Sequence, residues 1–215
     1  NDYLVGNNDG VRGSGGNGAD TLYGGDGKDN LSGGSGNDIL VGGKENDTLA
    51  GDSGSDQITG DLGDDQIDAG TGDDQIADPD GTNVIIGGDG SDKISTGVGN
   101  DQISGGEGDD LISDSGGTNS IYGDDGDDLI TGGSGADSIS AGEGNDAISA
   151  GFGADYVDAG PGNDSLSGGD GNDNLYGRDG DDELSGGNDT DYCSGSTGFD
   201  IFTAAGDCET STGVP

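Results

Sequence analysis

His, Met and Trp are absent from the 215 residues, and only two Cys, three Pro and five basic residues are present. Each shortage excludes something. Without His, and with three Lys and two Arg, no nucleophile and base can be paired, so no enzyme active site is expected in this stretch. Leu, Ile, Val and Phe make up about 16% of the chain, below the roughly 20% at which an ordinary hydrophobic core gives way to disorder. No segment has the Leu, Ala, Lys and Glu content of a helix, and Gly does not recur at every third residue as a collagen helix requires. No apolar run approaches the roughly 18 residues of a membrane span, and no signal-peptide pattern opens the chain.

What the chain does contain is 53 Gly and 46 acidic residues, only five of them Glu, for a formal net charge of -41. A field this negative repels phosphate, so nucleic acid is not an expected partner. Two kinds of molecule fit this composition. One is a disordered acidic polymer; the other is a fold that a cation completes.

Internal repeats decide between them. From Gly15 to Thr203 the chain holds a nine-residue frame, 21 nonads long, without insertion or deletion. Gly24-Gly25-Asp26-Gly27-Lys28-Asp29-Asn30-Leu31-Ser32 aligns with Gly33-Gly34-Ser35-Gly36-Asn37-Asp38-Ile39-Leu40-Val41. Position 6 is Asp in 19 of the 21, the exceptions being Asn83 and Asn119, and position 8 is apolar throughout, from Leu22 to Phe202. Position 4 is Gly except at Glu45 and Asp189. A disordered polymer has no reason to keep one frame for so long, so a fold is expected.

These residues resemble the RTX (repeats-in-toxin, hemolysin-type) calcium-binding family, whose nonapeptide reads G-G-x-G-x-D-x-U-x with U a large apolar residue. The resemblance covers nearly the whole chain. It implies an all-β, right-handed parallel β-roll, a β-helix solenoid with two nonads, about 18 residues, per coil. The period makes physical sense on its own terms. Positions 6 to 9 are expected as a short strand with only position 8 pointing inward, and positions 1 to 5 as a turn. Pro79 and Pro161 then fall in turns. Coils stacked about 4.8 Å apart give about eleven coils in a rod about 50–55 Å long.

Stacking by two nonads places the position-6 carboxylates in two columns. The first runs Asp2, Asp20, Asp38, Asp56, Asp74, Asp92, Asp110, Asp128, Asp146, Asp164, Asp182 and Asp200. The second runs Asp29, Asp47, Asp65, Asn83, Asp101, Asn119, Asp137, Asp155, Asp173 and Asp191. Like charges at such a spacing need a cation between them, and a cage of carboxylates and turn carbonyls suits Ca²⁺ far better than Zn²⁺ or copper. The resemblance implies ions between stacked turns, bridging Asp20 to Asp38, Asp38 to Asp56 and so on, about 16–20 in all. Such ions nearly cancel the chain's own charge. Irregularities at positions 4 and 6 all fall on the second column's face: Val11, Glu45, Asn83, Asn119 and Asp189. Asn83 and Asn119 sit in matching Gly-Thr-Asn turns, which either bind calcium weakly or replace the ion with side-chain-to-backbone hydrogen bonds.

Three segments are expected: degenerate repeats over 1–14, the roll over 15–203 and a C-terminal cap over 204–215. Residues 6–14 keep the nonad length with Val11 at position 6 and Gly13 at position 8, and Ala204 to Thr212 would be a further nonad with Glu209 at position 6. The chain begins inside a repeat, as a piece of a longer protein would. Cys193 replaces an inward residue and Cys208 lies in the next coil of its stack. A disulfide closing the last coil is expected, two free buried thiols being the alternative. Cysteine is unusual in relatives exported unfolded through type I channels, which puts that route in doubt here.

The expected function is a calcium-folded structural module of a secreted or cell-surface protein, with calcium as its partner and other domains on a longer parent chain. Alternatives are an extracellular filament or adhesin subunit self-associating end to end, an ice-binding solenoid, or the C-terminal module of a secreted enzyme or toxin. Ice binding calls for a regular outward Thr or Asn array, and the outward pairs Thr21/Tyr23, Ile39/Val41, Gln57/Thr59 and Lys93/Ser95 are too irregular for one.

Overall fold

The computed structural model describes residues 2–6, 10–203 and 207–208. Among them are two parallel sheets of twelve strands each and no helix. The chain crosses from one sheet to the other at each strand, so alternate strands are neighbours. Thr21–Asp26 pairs with Ile39–Lys44 in the first sheet, and Asn30–Ser35 pairs with Thr48–Ser53 in the second. Leu22 lies against Leu40 and Leu31 against Leu49, a register of two nonads. The result is a right-handed β-roll of about eleven coils, as the repeat implies.

The strands sit later in the nonad than expected. A full strand has six residues and runs from position 7 to position 3 of the next nonad, as in Thr21–Asp26; the turn is positions 4 to 6. Backbone at positions 2 and 3 stays in the ladder, with Gly25 paired to Gly43 and Asp26 to Lys44. Because side chains alternate along a strand, position 1 points inward together with position 8. The position-8 residues from Leu22 to Cys193 are 0–4% exposed, and Ala69, Ala141, Ala150 and Ala159, all at position 1, are 0% exposed. The core is therefore a thin double row, bulky at position 8 and nearly empty at position 1. That is how so few aliphatic residues suffice.

The glycines of the motif do different work. A Cβ on Gly15, at position 1, would stand 2.6 Å from both Asp20 Oδ2 and the Gly33 carbonyl oxygen. Position 1 is small for lack of room. Gly25 and Gly27, at positions 2 and 4, have φ of 104° and 111°, a conformation that disfavours other residues.

Both internal prolines lie on strands, not in turns. Pro79 is inside Gln75–Asp80 and Pro161 ends Tyr156–Pro161. Towards the preceding coil, the pairing of Gln75–Asp80 stops at Ala77, just before Pro79; towards the next it continues through Thr96 and Val98. Proline's missing N–H is thus spent where the ladder is already broken on one side.

At the N-terminal end the described part of the degenerate nonad stays in the stack. Arg12–Asn17 pairs with Asn30–Ser35, and a Cβ on Gly13 would lie 3.0 Å from Leu4 Cδ2, so Leu4 leans into the space left at position 8. At the other end Phe202 keeps register with Leu184 but is 37% exposed. Asp207–Cys208 pairs with Thr190 and Asp191, which sets Asp191 against Cys208 and shifts the expected last nonad by one residue. Glu209, its expected position-6 acid, lies outside the described residues. Cys193 and Cys208 are joined in a disulfide, their Cα atoms 5.3 Å apart.

Candidate metal sites

The turn puts position 6 at the corner where one sheet hands over to the other, with its side chain directed along the stack. In the first column each carboxylate Oδ1 accepts the backbone N–H of the position-6 residue one coil earlier. Asp20 donates to Asp38 at 2.6 Å, Asp74 to Asp92 at 2.8 Å and Asp164 to Asp182 at 3.0 Å. The run extends from Asp2 to Asp200. The second column does the same from Val11, whose N–H reaches Asp29 at 2.5 Å, to Asp191, which accepts from Asp173 at 3.0 Å. The residues of both expected columns, from Asp2 to Asp200 and from Asp29 to Asp191, therefore fall into two rows. Between Asp29 and Asp191 every one of them is buried.

The second oxygen is different. Oδ2 of Asp29, Asp38, Asp47 and the later position-6 aspartates through Asp191 is buried without a hydrogen-bond partner. It faces the empty position-1 space of its own nonad, where the next coil's carbonyl also points, as at Gly15. Burial pushes Asp47, Asp128 and Asp164 up to about 7, the neighbouring column carboxylates adding to the shift and the backbone N–H bond opposing it. Among the described residues no three Cys, His or acidic side chains converge on one point. The donor set at each corner is thus stacked carboxylates plus backbone carbonyls, all hard oxygen. Orphaned anionic oxygens beside carbonyls in a glycine-lined cradle fit Ca²⁺, which takes six to eight such ligands.

The two Asn levels keep half of this arrangement. Asn83 Oδ1 accepts the Asp65 N–H at 3.0 Å, and Asn119 Oδ1 accepts the Asp101 N–H at 2.9 Å, so the rungs are unbroken. In place of a bare Oδ2 each has an amide donor. Asn83 Nδ2 donates to the Asp80 carbonyl at 3.4 Å, a side-chain-to-backbone bond of the expected kind. Asn119 Nδ2 donates instead to a side chain, Asp114 Oδ1, at 2.8 Å.

Reading the chain for position 6 missed three buried polar residues at position 1: Asp78, Thr96 and Asp114, at 0%, 5% and 3% exposure. They lie one coil apart on the first sheet, beside the corner that carries Asn83, Asp101 and Asn119. The Thr96 hydroxyl donates to Asp114 Oδ2. The signal was available in the sequence, because every other nonad has Gly or Ala at that position.

A family model described as the RTX calcium-binding nonapeptide repeat, in four copies, matches residues 14–49, 41–76, 80–112, 104–139, 113–148, 131–166 and 167–202. Comparison with curated proteins found no significant match.

Proposed function

Because the chain belongs to the RTX calcium-binding nonapeptide repeat family, we propose that it is a structural module of a secreted or cell-surface protein that folds when calcium fills its corners. The ligands are the position-6 carboxylates from Asp2 to Asp200 and from Asp29 to Asp191, with turn carbonyls completing each cage. About 16–20 ions would bridge successive levels, at two carboxylates or one carboxylate and an Asn each. The carrying observation is the row of buried Oδ2 atoms that have no hydrogen-bond partner. A buried charge without a partner is costly, and a metal bound only in the folded state contributes its binding free energy to folding. We assign the roll no catalytic role, since its carboxylates are committed to the corners. The disulfide accords with an oxidising compartment.

The test is circular dichroism of the whole chain against free calcium. Excess EDTA should give a disordered spectrum, and calcium a steep, cooperative gain of β signal. A β spectrum that persists in excess chelator would refute calcium-dependent folding.

A further inference from the structure

Nonads 78–86 and 114–122 are the two whose position 6 is Asn, and they are also the two whose position 1 is Asp. In both, the acid has moved from one side of the turn to the other. The two relocated carboxylates have different surroundings. Asp114 is fully engaged: the Thr96 hydroxyl donates to Oδ2 and the Asn119 amide to Oδ1. Asp78 has nothing comparable. It is 0% exposed, and neither carboxylate oxygen has a hydrogen-bond partner.

Asp78 lies among other acids. A Cβ on Gly60 would collide with Asp78 Oδ2 and stand 2.6 Å from Asp65 Oδ2, itself buried without a partner. The two oxygens thus close on one point in the cradle that Gly60 leaves open. Burial pushes the Asp78 carboxyl up to about 8, with Asp65, Asp101, Asp61 and Asp80 adding to it. Lys44 lines a surface cleft with Pro79 and Asp80 but is paired with Asp26, and the pair Arg178–Asp158 lies elsewhere on the roll. Two facing carboxylates in a closed interior require a cation or a proton.

We propose that Asp65 and Asp78 hold a divalent cation set inward from the regular row, with Asp78 supplying the carboxylate that Asn83 lacks. This rests on the calcium reading above. At the level of Asp114 the same relocation has the opposite result: Thr96, Asp114 and Asn119 close on each other as a hydrogen-bonded plug that needs no ion. The second column therefore carries one displaced site and one sealed level, two coils apart.

The experiment uses calcium-saturated protein, with ions counted by native mass spectrometry and located by anomalous density in crystals. Wild type should show an ion between Asp65 and Asp78 and none beside Asp114. Asp78→Asn should bind one ion fewer than wild type, and Asp114→Asn the same number. The double variant Asp78→Gly/Asn83→Asp, which restores the ordinary nonad, should recover the wild-type count. An unchanged count in Asp78→Asn would overturn the proposal and leave Asp78 a protonated core acid. So would wild-type crystals with ions along the first column but no density between Asp65 and Asp78, a result that does not depend on any variant folding. If the first column is also empty, the calcium reading itself fails, and this proposal with it.

Discussion

The two corners of the roll are built from the same repeat, yet one is uniform and the other is not. The first column is Asp at every level from Asp2 to Asp200. The second starts at Val11, carries Asn at two levels and ends where Cys208 lies against Asp191. The hydrogen-bond rungs nevertheless run through both, because Val11 needs only its N–H, and Asn83 and Asn119 offer the same Oδ1 that Asp does. The comparison separates two roles of one side chain. Oδ1 ties coil to coil and tolerates Asn; Oδ2 faces the cradle and does not.

The comparison can be broken most severely in the first column. Asp110→Ala removes both roles at once, orphaning the Asp92 N–H and removing a proposed calcium ligand from the levels on either side. Asp110→Asn keeps the rung and loses only Oδ2. Removing one partner of a buried charge pair costs about 3–5 kcal/mol, so the Asn variant should fall by about that much. The Ala variant should fall a further ~1–3 kcal/mol for the unsatisfied amide. Calcium-dependent unfolding read by circular dichroism checks both. Equal losses in the two variants would mean the rung contributes nothing.

The next effect is confined to the end of the second column, where a covalent bond stands in for the next carboxylate. Cys193→Ser/Cys208→Ser opens a loop of sequence separation 15 and should cost the last coil about 3 kcal/mol. In a solenoid each coil contacts only its neighbours, so hydrogen exchange should rise near Tyr192 and stay unchanged at Ile121. Exchange that rises equally at both positions would contradict this one-dimensional picture.

The smallest effect sharpens the contrast within the second column. Thr96→Val keeps the shape but removes the hydroxyl that donates to Asp114, which should cost about 1–2 kcal/mol at saturating calcium. Its ion count should match wild type, since the plug holds none. Loss of an ion in Thr96→Val would place a metal where the hydrogen bonds are.

Much of this was legible in the sequence. A period of nine, an apolar position 8 and an acidic position 6 fix the stack, the core row and the two columns with little ambiguity. The phase of the strands was not, because Gly at positions 1 and 2 reads as turn although position 1 lies within the strand and position 2 stays paired, as at Gly25 and Gly43. The inward direction of position 1 was hidden for the same reason. A residue without a side chain carries no burial signal, so nothing marked position 1, which holds Asp78 and Asp114, as part of the core, and Pro79 was expected in a turn. The Asn levels were visible as exceptions, and the acids at position 1 of the same nonads, Asp78 and Asp114, stand in the stretch expected as turn. At the C-terminal end the one-residue shift that sets Cys208 against Asp191 has no mark in the repeat.

The pairing register implies a rule of parity for the length of this chain. Neighbours in a sheet are two nonads apart, while the frame itself repeats with every one. An insertion or deletion of a single nonad would leave the frame intact but send everything beyond it to the opposite sheet. Placed between Asp65 and Asp78, it would carry Asp78, Thr96 and Asp114 across the roll and part Asp78 from the acid it faces. Inserting a pair of nonads would lengthen the roll by one coil and keep every face as it is. Recombination among near-identical repeats is therefore neutral to the fold at any whole number of nonads, but neutral to the chemistry of the faces only at even numbers.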